Sequence, residues 1–168
     1  ANSFNRRYRR LDFDSTRGQE VEQPAGAFLM VRRDVLEKIG HLDEQFHPIW
    51  FDDVDLCLRI RRANLTIRYT PGCVAEHHGG HSLQTMPLEQ KYLAWHSNLL
   101  RFARKHYSAR ASFALWAAVC AGLFLRWSAS TLSLDSRTVR QSYWTAMKFV
   151  WSDRLPHGSH TSVKVGNT

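Results

Sequence analysis

Trp50-Phe51-Asp52-Asp53-Val54-Asp55-Leu56-Cys57-Leu58-Arg59 places two aromatic residues, three carboxylates and an apolar run in one short stretch. Val54, Cys57, Leu58 and Arg61 recur at helical spacing with Leu56 and Ile60 beside them, which predicts an α-helix beginning near Asp52. Asn64 suits the left-handed position that stops it. The bunched acids fit a helix start: Asp52 can cap, Asp55 can complete an approximate capping box, and the macrodipole favours anions there. They also admit a chemical reading. Adjacent carboxylates raise one another's pKa, and one of them can serve as a general base or approach a metal. Trp50 and Phe51 would then supply an apolar wall or a sugar-stacking face.

Downstream, Leu65-Thr66-Ile67-Arg68-Tyr69-Thr70 alternates like a strand, Pro71-Gly72 turns, and residues 73–77 read as a further short strand. That strand runs into Glu76-His77-His78-Gly79-Gly80-His81-Ser82. A strand end entering a Gly-Gly loop is a common place for ligands in α/β proteins, and its histidines are candidate ligands for a divalent cation. A solvated polar loop explains the same letters. His77 and His78 point to opposite faces of a continuing strand, so they do not both serve one ion. Upstream, Ala27-Phe28-Leu29-Met30-Val31 is a continuous apolar run suited to a buried strand, and Arg33 to Ile39 predicts a brief helix stopped by Gly40. Strand, helix and strand in this succession predict an α/β layer arrangement.

Beyond the loop the character changes. Pro87 suits the first turn of a long helix with Leu88, Tyr92, Leu99, Ala103 and Tyr107 on one side, and with Arg101, Arg104 and Lys105 toward its end. Residues 111–125 carry no charge, and Arg126-Trp127 follows. This run is shorter than the ~20 residues of a bilayer span. Trp116, Trp127, Trp144 and Trp151 lie around it among scattered Arg and Lys, a combination that favours helices in or dipping into an anionic leaflet. The competing reading is a buried helical hairpin.

The 168 residues are 43% hydrophobic and 23% charged, which excludes collagen-like and wholly disordered classes. The net charge of +8 is unevenly spread. A basic start precedes an acidic stretch over residues 11–60, and a long basic remainder follows, unlike a uniformly basic nucleic-acid binder. The three cysteines lack C-x-x-C spacing, so neither a disulfide framework nor a cysteine zinc site is expected, and a reducing compartment is. The chain opens without a signal-peptide apolar region or an initiator Met, and is expected to be a piece of something longer.

Taken in order, Pro24-Ala25-Gly26-Ala27-Phe28-Leu29-Met30-Val31-Arg32-Arg33, Leu36-Glu37-Lys38-Ile39-Gly40-His41-Leu42-Asp43-Glu44-Gln45-Phe46, Phe51-Asp52-Asp53-Val54-Asp55-Leu56-Cys57-Leu58-Arg59 and His77-His78-Gly79-Gly80-His81-Ser82 closely resemble the acceptor-side half of family-2 glycosyltransferases. The nearest subgroup resembles bacterial rhamnosyltransferases of surface polysaccharide synthesis. The resemblance implies an α/β fold, the C-terminal part of a GT-A fold, followed by membrane-associated helices. It divides the chain into a lead-in (1–24), an acceptor-side catalytic half (25–86), a helical membrane-associated region (87–151) and a flexible tail (152–168).

It further implies inverting transfer from a nucleotide-sugar to a saccharide or lipid-linked saccharide acceptor. Asp53 matches the family's base, Asp52 stands where the family has Glu, and Asp55 is the motif's third acid. Gly26 and Trp50 match positions around the acceptor pocket. His77 matches a ligand to Mn²⁺ or Mg²⁺ at the donor diphosphate. The implied location is cytoplasmic, peripheral on the inner face of the cell membrane, with no nucleic-acid partner. The family's nucleotide-binding half and its Asp-x-Asp motif precede the Gly26 position. Here Asp12-Phe13-Asp14 has the letters without an upstream strand, so the chain alone is expected to be inactive. The readings set against this one are a non-catalytic histidine metal-binding module and a basic membrane- or nucleic-acid-binding protein.

Overall fold

The computed structural model describes residues 13–77, 84–132 and 137–152. The chain forms two compact units, Ala1–His81 and Ser82–Thr168.

In the first unit, strand β1 (Gln19–Glu20) comes first, then a 3-10 turn at Gly26–Phe28, helix α1 (Arg33–Ile39), a 3-10 turn at Glu44–Phe46, helix α2 (Asp52–Arg62) and strand β2 (Arg68–Tyr69). The strands pair antiparallel, Gln19 opposite Tyr69 and Glu20 opposite Arg68, and the Val21 N–H extends the ladder to the Ile67 carbonyl at 2.9 Å. Leu56, Cys57, Ile60 and Ile67 form the buried core, with Val21, Leu29, Val31, Val35, Leu36 and Ile39 packed on it. Burying an aliphatic side chain of this size contributes about 1.5–3 kcal/mol, which is what lets so short a ladder persist. The buried stripe of α2 is centred on Leu56, Cys57 and Ile60, while Arg61 faces solvent.

The expected α/β sheet is reduced to this one two-residue ladder among the described residues. Residues 27–31 do not form a strand. Gly26–Phe28 turns tightly, and Leu29 and Val31 then run extended against the core while Met30 is 94% exposed. The in–out alternation of a strand is present, but a ladder needs a partner's N–H and C=O groups, and no described residue forms a ladder with this segment. Residues 73–77 are likewise exposed and form no strand, with Val74 90% exposed. Part of the expected irregular lead-in is ordered. Asp14 accepts from the Thr16 N–H (3.0 Å) and hydroxyl and from Arg17 Nε (2.7 Å), Phe13 packs edge-on to Tyr69, and β1 follows.

The second unit is three helices: α3 (Leu88–His106), α4 (Ala109–Leu132) and α5 (Arg137–Ser152). Pro87 stands at the N-cap of α3 rather than inside its first turn. Leu100, Leu123, Ala146 and Val150 are buried together, flanked by Tyr92, Trp116, Val119, Cys120, Tyr143 and Met147. The inward face of α3 is wider than the spacing predicted. It buries His96, Asn98 and Phe102, whereas Leu88 and Tyr107 at its ends are exposed. Trp116 Nε1–H donates to the Val150 carbonyl (2.8 Å), tying α4 to α5. The expected tail lies almost wholly outside the described residues.

Candidate active site

Helix α2 sets out the acids. Its N-cap is Phe51, not Asp52, and Phe51 (φ 73°) and Trp50 (φ 69°) both adopt the left-handed region. Non-glycine residues there cost of order 1–3 kcal/mol each, and such strain gathers at functional sites. The two kinked residues end the incoming loop abruptly, so that Asp52 and Asp53 open the first turn of α2. Aromatic residues have no left-handed preference, so nothing in the sequence signalled this turn.

The three carboxylates then part company. Asp53 turns toward the 3-10 turn, where its Oδ2 accepts the Gly26 N–H at 2.9 Å and a Gln23 side-chain N–H at 3.4 Å. Its Oδ1 accepts the Val54 N–H at 2.8 Å. Gly26 leaves room for this contact: a Cβ there would lie 3.0 Å from Asp53 Cβ and 3.3 Å from Oδ2, so the carboxylate would have to give by a few tenths of an ångström. Residues 27 positions apart are thus locked backbone to carboxylate.

Asp55, expected among the catalytic acids and as a capping-box member, points the other way and is fully buried. Its Oδ2 accepts Arg59 Nε at 2.8 Å. The same guanidinium donates to the carbonyls of Ile39 (2.7 Å), Gly40 (3.1 Å) and His41 (2.7 Å). Arg59 therefore closes the carbonyl end of α1 and fixes it to α2, a structural task that turns Asp55 away from any substrate. Removing either partner would leave a buried charge uncompensated, at roughly 3–5 kcal/mol.

Asp52 borders a cleft of about 420 Å³ whose other walls come from residues 42–49, including Leu42, Asp43, Glu44, His47 and Pro48. The size falls within the ~300–1,000 Å³ range of small-molecule sites. Sequence reasoning missed this wall, because loop residues gathered by a fold carry no periodic signal. Phe46, 1% exposed, anchors the loop beneath it. Below Asp53, burial and then the Asp53 charge push the Cys57 thiol up to about 11, so it stays a neutral packing group.

His77 is exposed. Among the described residues no group of three or more His, Cys, Asp or Glu side chains converges as a metal site. A lone imidazole fits a cation only as one ligand among others supplied by phosphate oxygens or further protein groups. His78, Gly79, Gly80 and His81 lie outside the described residues. Asp14, the second acid of Asp12-Phe13-Asp14, is engaged by its own turn, and those hydrogen bonds hold its carboxyl below the usual range.

The model of a family described as glycosyltransferase like family 2 matches residues 1–98. The uncharacterized protein y4gI of Sinorhizobium fredii is 32% identical over 60 residues, 36% of this chain and 7% of that protein. The rhamnosyltransferase WbbL of Escherichia coli K12 is 28% identical over 95 residues, 55% of this chain and 35% of WbbL. The matches thus cover only about a third of WbbL and far less of y4gI. No solved structure matches.

Proposed function

Because the chain belongs to the glycosyltransferase-like family 2, we propose that it is the acceptor-side part of an inverting glycosyltransferase of GT-A type, with Asp53 as its general base. The observation that carries this reading is the Gly26–Asp53 lock. A base must be held within hydrogen-bond reach of the proton it takes, and a backbone N–H is a firmer support than a flexible side chain. The acceptor hydroxyl gives its proton to Asp53 as its oxygen attacks the anomeric carbon of a nucleotide-sugar. The bond to the nucleoside diphosphate breaks on the opposite face, and configuration inverts.

Asp52, at the lip of the cleft, orients the acceptor's other hydroxyls by accepting their hydrogen bonds. Gly26 and Trp50 border the acceptor's approach. Asp55 acts through Arg59 and not on substrate. His77 would provide one ligand to Mn²⁺ or Mg²⁺, which when bound neutralises charge on the leaving diphosphate. Rhamnose as the sugar is supported by the similarity to WbbL, and a saccharide or lipid-linked saccharide is the proposed acceptor. The site is assigned to the cytoplasmic side of the inner membrane; the membrane part of that reading draws on α4, which is long and apolar enough to cross a membrane by length and composition.

The test is Asp53→Asn in an enzyme that joins this segment to a donor-binding half. Turnover should fall by about 10²–10⁴-fold, the usual worth of general acid–base catalysis, while nucleotide-sugar affinity stays within about twofold because the donor does not rest on Asp53. Turnover near that of the unmodified enzyme would remove Asp53 from the role and make Asp52 the next residue to change.

A further inference from the structure

We propose that the outward face of α4 is a bilayer-docking surface, on which the helix lies in the membrane plane against anionic lipid. The inference rests on the membrane-side location above and specifies the surface that achieves it.

A helix on the outside of a soluble bundle presents one apolar stripe to its neighbours and a polar face to water. α4 is apolar on both. Trp116, Val119, Cys120 and Leu123 pack inward with Leu100, Ala146 and Val150. Phe113, Ala117, Ala121 and Phe124, spaced four, four and three apart, are exposed, and Leu125 beside them is 66% exposed. Only 6% of the most apolar stretch of this helix is buried. The bundle therefore uses one face and leaves the second to another apolar medium.

Length and charge identify that medium. Exposed Arg110 lies on the outward side near one end of the helix, and exposed Arg126, toward the other end, lies on the side that faces Tyr92 and His96; their separation along the axis is about 24 Å at 1.5 Å per residue. A hydrocarbon core is ~30 Å thick, so a span would draw an arginine inside it, whereas an in-plane helix lets Arg110 reach lipid phosphates and leaves Arg126 at the bundle. Exposed Trp151 and Trp144 of α5 pack on Trp116 and Trp127 of α4, ring centroids 5.7 and 5.5 Å apart, and add to the same unit two indoles, the residue type that prefers the headgroup level. The net charge of +8 resides entirely in the unit that carries α4, where eleven bases face three acids, while residues 1–81 are neutral overall. That charge attracts an anionic leaflet and repels a second copy of the same surface.

The experiment is co-sedimentation of the 168-residue chain with vesicles of phosphatidylcholine alone or mixed with phosphatidylglycerol. Neither contains saccharide, so the docking face can fail while the transferase reading stands, and the reverse. Binding should be about tenfold or more tighter on the anionic vesicles and should weaken with salt. Phe124→Asp combined with Leu125→Asp should lower partitioning about tenfold or more with helical circular dichroism retained. If that variant does not fold, Arg110→Gln, at an exposed position on the outward side, should reduce the salt dependence. Equal or absent binding to both vesicle types overturns the proposal. So does release from cell membranes by detergent but not by alkaline carbonate, the behaviour of a span. A concentration-dependent dimer that ignores vesicles and is lost with Phe124→Asp also overturns it, by making the face a contact between copies.

Discussion

At the scale of single residues, the site depends on atoms that are absent as much as on atoms present. Gly26 leaves room for Asp53, and a methyl group there would meet Asp53 Cβ at 3.0 Å. Gly26→Ala should therefore push the carboxylate aside by a few tenths of an ångström. Misplacement of a reacting group by ~1 Å can cost 10²-fold, so we expect turnover of the joined enzyme to fall about tenfold, with melting temperature nearly unchanged because Gly26 is exposed. Steady-state kinetics beside a thermal melt of the same variant checks both halves. The sequence contained no local signal for this contact. The two residues are 27 positions apart, and only their order within a family-like pattern pointed to them. Asp55 shows the converse. Its letters matched an acidic motif, yet its direction depends on Arg59 and three carbonyls at the end of another helix, a long-range arrangement that spacing does not encode.

At the scale of elements, what the sequence disclosed follows from what is local. Arg33–Ile39 ends at Gly40 with φ 83°, and Asn64 follows α2 with φ 58°. Those stops are backbone preferences of the residues themselves. The strands expected at 27–31 and 73–77 did not form ladders, since pairing belongs to a partner and not to the segment. The long helix after Pro87 was legible, but its interior held a surprise. His96 is 6% exposed, and its Nδ1 lies 2.7 Å from the Tyr92 carbonyl, so that nitrogen carries the proton and donates. Burial lowers the His96 pKa from 6.5 more than that bond raises it, and the Arg126 charge lowers it further. The neighbouring Tyr92 hydroxyl, bonded to Tyr143 at 3.2 Å, is pushed up to about 12, chiefly by burial. The sign is then fixed. Above pH 6.5 the imidazole is neutral folded or unfolded and costs nothing. As pH falls below that value the unfolded chain binds a proton that the folded one resists, and stability is lost down to the lowered pKa. Thermal melts between neutral and mildly acidic pH should show a falling midpoint, and His96→Gln should flatten that fall by a few degrees.

At the scale of the whole molecule, the proposed base Asp53 and its supports lie among the described residues, whereas the Asp-x-Asp that a donor-binding half would bring has no free counterpart in Asp14. Asp14 is consumed by its own turn. The chain by itself should therefore release no nucleoside diphosphate from a nucleotide-sugar above the uncatalysed rate, with or without Mn²⁺. A coupled assay for the diphosphate checks this, and measurable turnover would mean that a donor site exists in this chain. The chain divides into two units between residues 81 and 82, and the net charge follows the same boundary. The two apolar faces of α4 bear finally on how the protein is made. As it leaves the ribosome, before any bundle covers it, the Ala109–Thr131 segment offers targeting factors and the translocon an 18-residue stretch of mean hydropathy 1.4. An arginine near a helix centre opposes insertion by about 2.5–3.5 kcal/mol, and by less toward an end. Arg110 and Arg126, placed near the two ends, set the balance between lateral release into lipid and folding in the cytosol, so this helix must be judged twice, once as a nascent segment and once as part of a fold.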